Sequence, residues 1–134
     1  MSRRPSPLRL AALSLLLSLL LGCAAAPAPR APPSEDDPRA VLERFSSAVE
    51  ARRWDEAYPL LSARWRVRET PSRLASDLAA AGPAGLDAVR RVRALLVAGT
   101  AVAVDGEVAT LPIGTDRAAR LVREDRAWRV DALE

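Results

Sequence analysis

The feature that most constrains this chain is a change of hydrophobic period at Gly99. Upstream of it, apolar residues recur every three to four positions; downstream they alternate. A helix places i, i+3, i+4 and i+7 on one face, whereas a strand places i and i+2 there. Helices therefore precede strands, and each layer needs the other to cover its apolar face. The fold class this predicts is α+β, with three to four N-terminal helices packed on one face of a small C-terminal antiparallel sheet.

In the helical half, Val41, Leu42, Phe45, Ala48 and Val49 form one amphipathic stripe. Asp37-Pro38 supplies its N-cap and first helical residue, and Arg52-Arg53 end it. Trp54, Ala57, Tyr58, Leu61 and Trp65 form a second stripe, predicting one helix that runs through Pro59. Proline is tolerable there only within the first turn or so. Thr70-Pro71 caps a third helix carrying Leu74 and Leu78, which stops at Gly82-Pro83; Leu86, Val89, Val92, Leu95 and Leu96 mark a fourth. Beyond Gly99, Ala101–Val104 and Val108–Leu111 flank Asp105-Gly106, a pair suited to a type I′ hairpin turn. Ala119–Arg123 and Ala127–Asp131 pair around Glu124-Asp125-Arg126. Trp128 and Val130 share one face of that last strand and Arg129 and Asp131 the other, which directs Asp131 to solvent. Residues 38–134 suffice for one core and not for two.

Residues 1–22 have the parts of an export signal. Arg3, Arg4 and Arg9 precede an apolar run, Leu10–Leu21, and small residues follow. As a helix that run spans about 18 Å, short of the roughly 30 Å hydrocarbon core of a bilayer. Leu20-Leu21-Gly22-Cys23 resembles the lipobox of bacterial lipoproteins, and Cys23 is the sole cysteine. The resemblance implies cleavage between Gly22 and Cys23, a diacylglycerol thioether on Cys23 and an added acyl chain such as palmitate. Several chains anchor a protein stably where one binds marginally. Ala24, standing where an inner-membrane retention signal has Asp, implies the outer membrane, facing the periplasm. Residues 23–37 then form a semi-rigid spacer of about 45 Å at most. Its acids Glu35, Asp36 and Asp37 read as solvated charge, since no turn glycine or bidentate Glu stands at calcium-loop spacing.

All 20 basic residues are arginine, against 17 acids. Loss of Arg3, Arg4 and Arg9 with the leader balances the two, so the alkaline character belongs to the leader and gives no support for nucleic-acid binding. Arg64-Trp65-Arg66-Val67-Arg68 and Arg90-Arg91-Val92-Arg93 are two local clusters. Arg90, Arg91 and Arg93 form a candidate patch for anionic headgroups or an acidic partner, since guanidinium forks suit phosphate and carboxylate. Pairing within the chain, to Glu69, Asp77 and Asp87, is the reading the neutral balance favours.

A first helix, then the segment Arg53-Trp54-Asp55-Glu56-Ala57-Tyr58-Pro59-Leu60-Leu61-Ser62, then the hairpin Leu121–Asp131, resembles the nuclear-transport-factor-2-like superfamily over residues 38–134. The likeness is greatest to the small bacterial lipoproteins of that superfamily, and it implies a half-cone. Ala57, Tyr58, Leu60 and Leu61 match the helix packed in the cone wall, and Trp128 the closing core tryptophan. This chain carries only about four short strands.

With no His and no second Cys in the chain, histidine triads, thiol catalysis and the usual zinc or copper ligand sets are excluded. Ala81-Gly82-Pro83-Ala84-Gly85 lacks the spacing and the Lys of a phosphate loop. No catalytic residue, metal or cofactor is assigned. Isomerases and dehydratases of the superfamily set Asp or Tyr in an apolar cone. The resemblance therefore makes Asp55 and Tyr58, three apart on one helix, the candidate pocket pair. The plainer reading has Asp55 complementing a helix dipole and Tyr58 packing with its hydroxyl at the rim. The leading expectation is a membrane-tethered, non-enzymatic binding or interaction module, with the membrane and an envelope protein as partners. The alternatives are a small-molecule enzyme using Asp55 and Tyr58, and a structural accessory to a larger envelope complex.

Overall fold

The structure, a computed structural model, describes residues 34–134. The leader, the cleavage site at Gly22 and Cys23, Cys23 itself and the spacer up to residue 33 lie outside the described residues.

The first helix, α1 (Pro38–Glu50), starts where its cap signals place it: Asp37 Oδ1 accepts from the Arg39 amide at 2.9 Å, and Pro38 occupies the first turn. Its stripe of Val41, Leu42, Phe45, Ala48 and Val49 is buried, each large side chain contributing about 2 kcal/mol of transfer free energy. Ser46, also on that face, satisfies its hydroxyl by donating to the Leu42 carbonyl at 2.8 Å. The predicted second helix is broken. It divides into a single turn α2 (Trp54–Ala57), a 3₁₀ turn Tyr58–Leu60, and a second single turn α3 (Ala63–Arg66). Pro59 has no N–H to donate to the carbonyl four residues back, so the α-helical ladder cannot continue through it. Leu61 is instead extended, at φ −74° and ψ 151°, and forms a parallel bridge with Val130.

Helix α4 (Pro71–Ala80) is capped by Thr70, whose hydroxyl accepts from the Arg73 amide at 3.2 Å. Helix α5 (Gly82–Val97) follows at once and packs along α1. Its end explains the change of period. Gly99 takes φ +81°; its amide bonds to the Leu96 carbonyl and that of Thr100 to the Leu95 carbonyl, both at 3.0 Å, a Schellman ending that needs a residue free to be left-handed. Arg39 closes the same terminus from α1, donating to the Leu96 and Thr100 carbonyls.

The strands β1 (Ala103–Asp105), β2 (Val108–Pro112), β3 (Ala118–Glu124) and β4 (Ala127–Leu133) form an antiparallel meander in chain order. The helices pack against one face, which carries Ala109, Leu111, Ala119, Leu121, Trp128 and Val130, all buried. The predicted α+β arrangement is therefore observed. The turn chemistry differs in position. Asp105 pairs with Val108, so the first turn is Gly106-Glu107, one residue later than predicted. Only Gly106 has positive φ (+57°), the sign pattern of type II′ rather than I′. The second turn, Asp125-Arg126, has positive φ at both residues (49° and 68°), the type I′ pattern built without glycine.

A second departure matters more. β3 and β4 keep register from Glu124–Ala127 to Leu121–Val130, then resume at Arg120–Ala132. Asp131 is the extra residue of a β-bulge. The bulge interrupts alternation, and Asp131, expected in solvent, is only 7% exposed.

Both ends of the β4 edge are covered. At one, the Ser62 amide donates to the Val130 carbonyl at 2.8 Å; at the other, the Trp128 amide donates to the Glu35 carbonyl at 2.9 Å. The last residues of the stretch read as a spacer are thus held against the sheet, with Glu35 Oε2 accepting from Arg129 at 2.8 Å. Glu35, expected to be solvated, is paired.

Candidate functional site

Burial of Asp131 requires partners, because an unpaired carboxylate in a low-dielectric setting is costly. The break at Pro59 supplies them by turning Ser62–Arg66 back onto β4. Asp131 Oδ1 accepts from Ser62 Oγ at 2.8 Å and Arg64 Nε at 3.2 Å, and Oδ2 accepts from Arg64 Nη2 at 3.2 Å. Arg64 Nη2 also reaches the Asp131 carbonyl at 2.8 Å, an acceptor shared with the Trp65 indole N–H. Ser62, fully buried, has the bonded partner such a hydroxyl requires. The same turn is also held by Glu124, whose carboxylate accepts from the Ala63 amide at the start of α3 at 3.0 and 3.1 Å and pairs with Arg66 at its end at 3.4 Å. Two acids of the sheet thus fix one turn of helix.

Beside this clamp lies an open apolar cleft of about 320 Å³ between the helices and the end of β4. Leu74 and Leu78 of α4 form one wall, Ala84, Gly85, Ala88 and Val89 of α5 another, and Val130–Leu133 the sheet side; Leu61 and Trp65 close one end. Trp65 is 39% exposed, so its ring is both lining and surface. The charged residues of the lining are Asp131 and Arg117. Arg117, on the loop between β2 and β3, is exposed.

Asp55 and Tyr58 do not meet at this cleft. Asp55 is exposed in the first turn of α2, where it complements the helix dipole. Tyr58 is half-buried and donates its hydroxyl to the Arg66 carbonyl at 3.0 Å, so the phenol serves the α2–α3 connection. Neither lines the cavity.

The three arginines of α5 do not act as a unit either. Arg91 Nε pairs with Asp87 at 2.8 Å, while Arg93 reaches Glu50 at 3.7 Å and donates to the Ser47 hydroxyl. Arg90 is exposed and makes no ion pair among the described residues. Of the acids expected to neutralise the arginines, Asp87 pairs with Arg91 and Arg117, and Asp77 with Arg73 at 3.9 Å. Asp131, Glu124 and Glu35 take Arg64, Arg66 and Arg129. Glu35 also receives Arg44 at 3.5 Å. The hydrogen bond from Arg129, aided by the charge of Arg44, holds the Glu35 carboxyl below its ordinary value.

Sequence reasoning missed Asp131 and Glu124 as organisers of α3. The signal was Arg64 and Arg66, two arginines flanking Trp65 at the end of the second stripe; what was lacking was the bulge that faces them with a carboxylate. Among the described residues there is no group of three or more acids that could hold a metal ion, and no helix is long and apolar enough to cross a membrane. Comparison with protein-family models gives no match, and no curated protein or solved structure matches the chain significantly.

Proposed function

We propose that the protein is an envelope lipoprotein, anchored through Cys23 at the outer membrane and facing the periplasm, whose domain is a non-enzymatic binding module with the apolar cleft as its site. One observation carries the binding reading: the cleft is lined by apolar side chains, and its one carboxylate, Asp131, is saturated by Ser62 and Arg64. A pocket so lined recognises apolar surface and offers no free base or nucleophile to a substrate. An isomerase- or dehydratase-like use of Asp55 and Tyr58 is not favoured, since neither lines the cleft. The anchor rests on the likeness of Leu20–Cys23 to a lipobox.

Each half has its own test. For the anchor, wild-type chain labelled in cells with palmitate should carry the label on Cys23, and Cys23→Ala should accumulate as an uncut, unlabelled precursor. An unlabelled wild-type chain overturns the lipoprotein reading. For the cleft, a neutral apolar dye such as Nile red should quench emission from Trp65, and Trp65→Phe should remove most of that quenching. A dye that leaves Trp65 emission unchanged overturns the cleft as the binding site.

A further inference from the structure

The cleft has one polar feature still available, and it is a cation. Of its two charged lining residues, Asp131 is neutralised by Arg64. Arg117 is not engaged in the same way. Its nearest acid is Asp87, with Nη1 3.7 Å from Oδ2, and that same oxygen accepts from Arg91 Nε at 2.8 Å. At that separation no hydrogen bond forms, and the Arg117 guanidinium donates to no described residue. An apolar trough with a half-exposed guanidinium at its rim matches a molecule that is hydrocarbon along its body and acidic at one end. A neutral apolar ligand leaves the fork unused, and a cationic one is repelled by it.

We propose that the cleft binds a single-chain anionic amphiphile, with its hydrocarbon chain between α4, α5 and β4 and its acidic head on Arg117. This rests on the reading of the cleft as the binding site. Size sets the number of chains: about 320 Å³ lies at the lower end of small-molecule sites and suits one chain rather than a two-chain lipid. The planar fork of arginine accepts carboxylate or phosphate in a bidentate manner, so the recognised chemistry is an acidic head on one alkyl chain, whether free fatty acid or alkyl phosphate.

The test is calorimetric titration of the purified full-length chain with dodecanoate, dodecyl phosphate and dodecyltrimethylammonium below their micelle concentrations, and with dodecan-1-ol below its solubility limit. Dodecanoate or dodecyl phosphate should bind about fivefold more tightly than dodecan-1-ol, the scale of a half-exposed ion pair, and the ammonium more weakly still. Which of the two anions binds better identifies the head. Arg117→Gln should abolish the advantage over the alcohol, and added salt should shrink it. Ala84→Trp, which places a ring in the cleft mouth at an exposed position, should weaken all ligands; Leu74→Gln serves the same purpose if the first variant loses its helical signal. Equal binding of dodecan-1-ol and the anions overturns the anionic head, and an advantage that survives Arg117→Gln overturns its seat on Arg117; either leaves the apolar cleft standing. No binding by any ligand overturns both. Binding unchanged in both blocking variants places the amphiphile elsewhere on the chain and also overturns both.

Discussion

The two ends of β4 answer the same problem differently. At Trp128-Arg129 the strand keeps its alternation: the indole is buried, the guanidinium points out, and the covering segment Ser34–Asp37 bonds to both. Two residues further on, at Asp131, alternation fails and a carboxylate turns inward to be met by Ser62 and Arg64. Both ion pairs keep one partner open to water, Glu35 at 41% and Arg64 at 58%; the covered partner is Arg129 (17%) at the regular end, but at the bulge it is the Asp131 carboxylate (10%), which also holds the fully buried Ser62 hydroxyl. Ion pairs open to water are worth little, while removing one partner of a buried pair leaves the other stranded. The irregular end should therefore carry more stability per interaction, although it is the end that breaks the pattern.

The largest effect expected from this contrast is at Asp131. Asp131→Ala strands Ser62 Oγ and unpairs Arg64, at a cost of about 2–3 kcal/mol, read as a lower midpoint in urea. Asp131→Asn keeps an acceptor for Ser62 and should lose about half of that. A loss for Asp131→Ala under about 0.5 kcal/mol, the range of ordinary surface substitutions, would remove the distinction between the two ends. Next is Trp128→Phe, which deletes the indole bond to the Asp36 carbonyl and some core volume. It should cost about 1–2 kcal/mol and speed amide exchange at residues 34–37. Unchanged exchange there would show that the regular end does not hold that segment.

The smallest effect is at Glu35, and it depends on pH. Its folded carboxyl titrates below the ordinary value near 4.5 because Arg129 and Arg44 favour the ionised form. The stability it contributes is complete above that ordinary value and is lost as pH falls through the lowered folded one. Glu35→Gln should cost about 0.5 kcal/mol at neutral pH, with variant and wild type converging in acid. A gap that widens below pH 4.5 would reverse the assignment.

The α+β order, the extent of α1, the cap at Thr70 and the meander were legible because each rests on period or cap chemistry, which are local. Trp128 was legible as core for the same reason. The division of the second helix at Pro59 was only half legible: the stripe from Trp54 to Trp65 is genuine, since Ala57 and Leu61 are buried, but burial can be delivered by an extended residue as well as by a helix. Asp131 was illegible because a bulge depends on register with the neighbouring strand, and one extra residue inverts every later side chain. The cleft was equally hidden, since its walls come from α4, α5 and β4, whose proximity is tertiary. Arg117, on a loop outside both stripes and both arginine clusters, carried no local signal at all.

The bridge from Leu61 to Val130 has a kinetic side. Within the meander partners are near neighbours in the chain, and such contacts form fast, whereas α1 meets α5 across 57 residues at Arg39–Leu96. The contacts that join the two layers along β4 span 69 residues at Ser62–Asp131 and 92 at Trp128–Asp36, and closing loops of that length costs conformational entropy before any contact is gained. The meander can gather its local contacts early, but the outer edge of β4 stays open until both distant segments arrive. The 92-residue closure at Trp128–Asp36, longer than any within the helical layer, makes capture of that last edge the step expected to come late in folding.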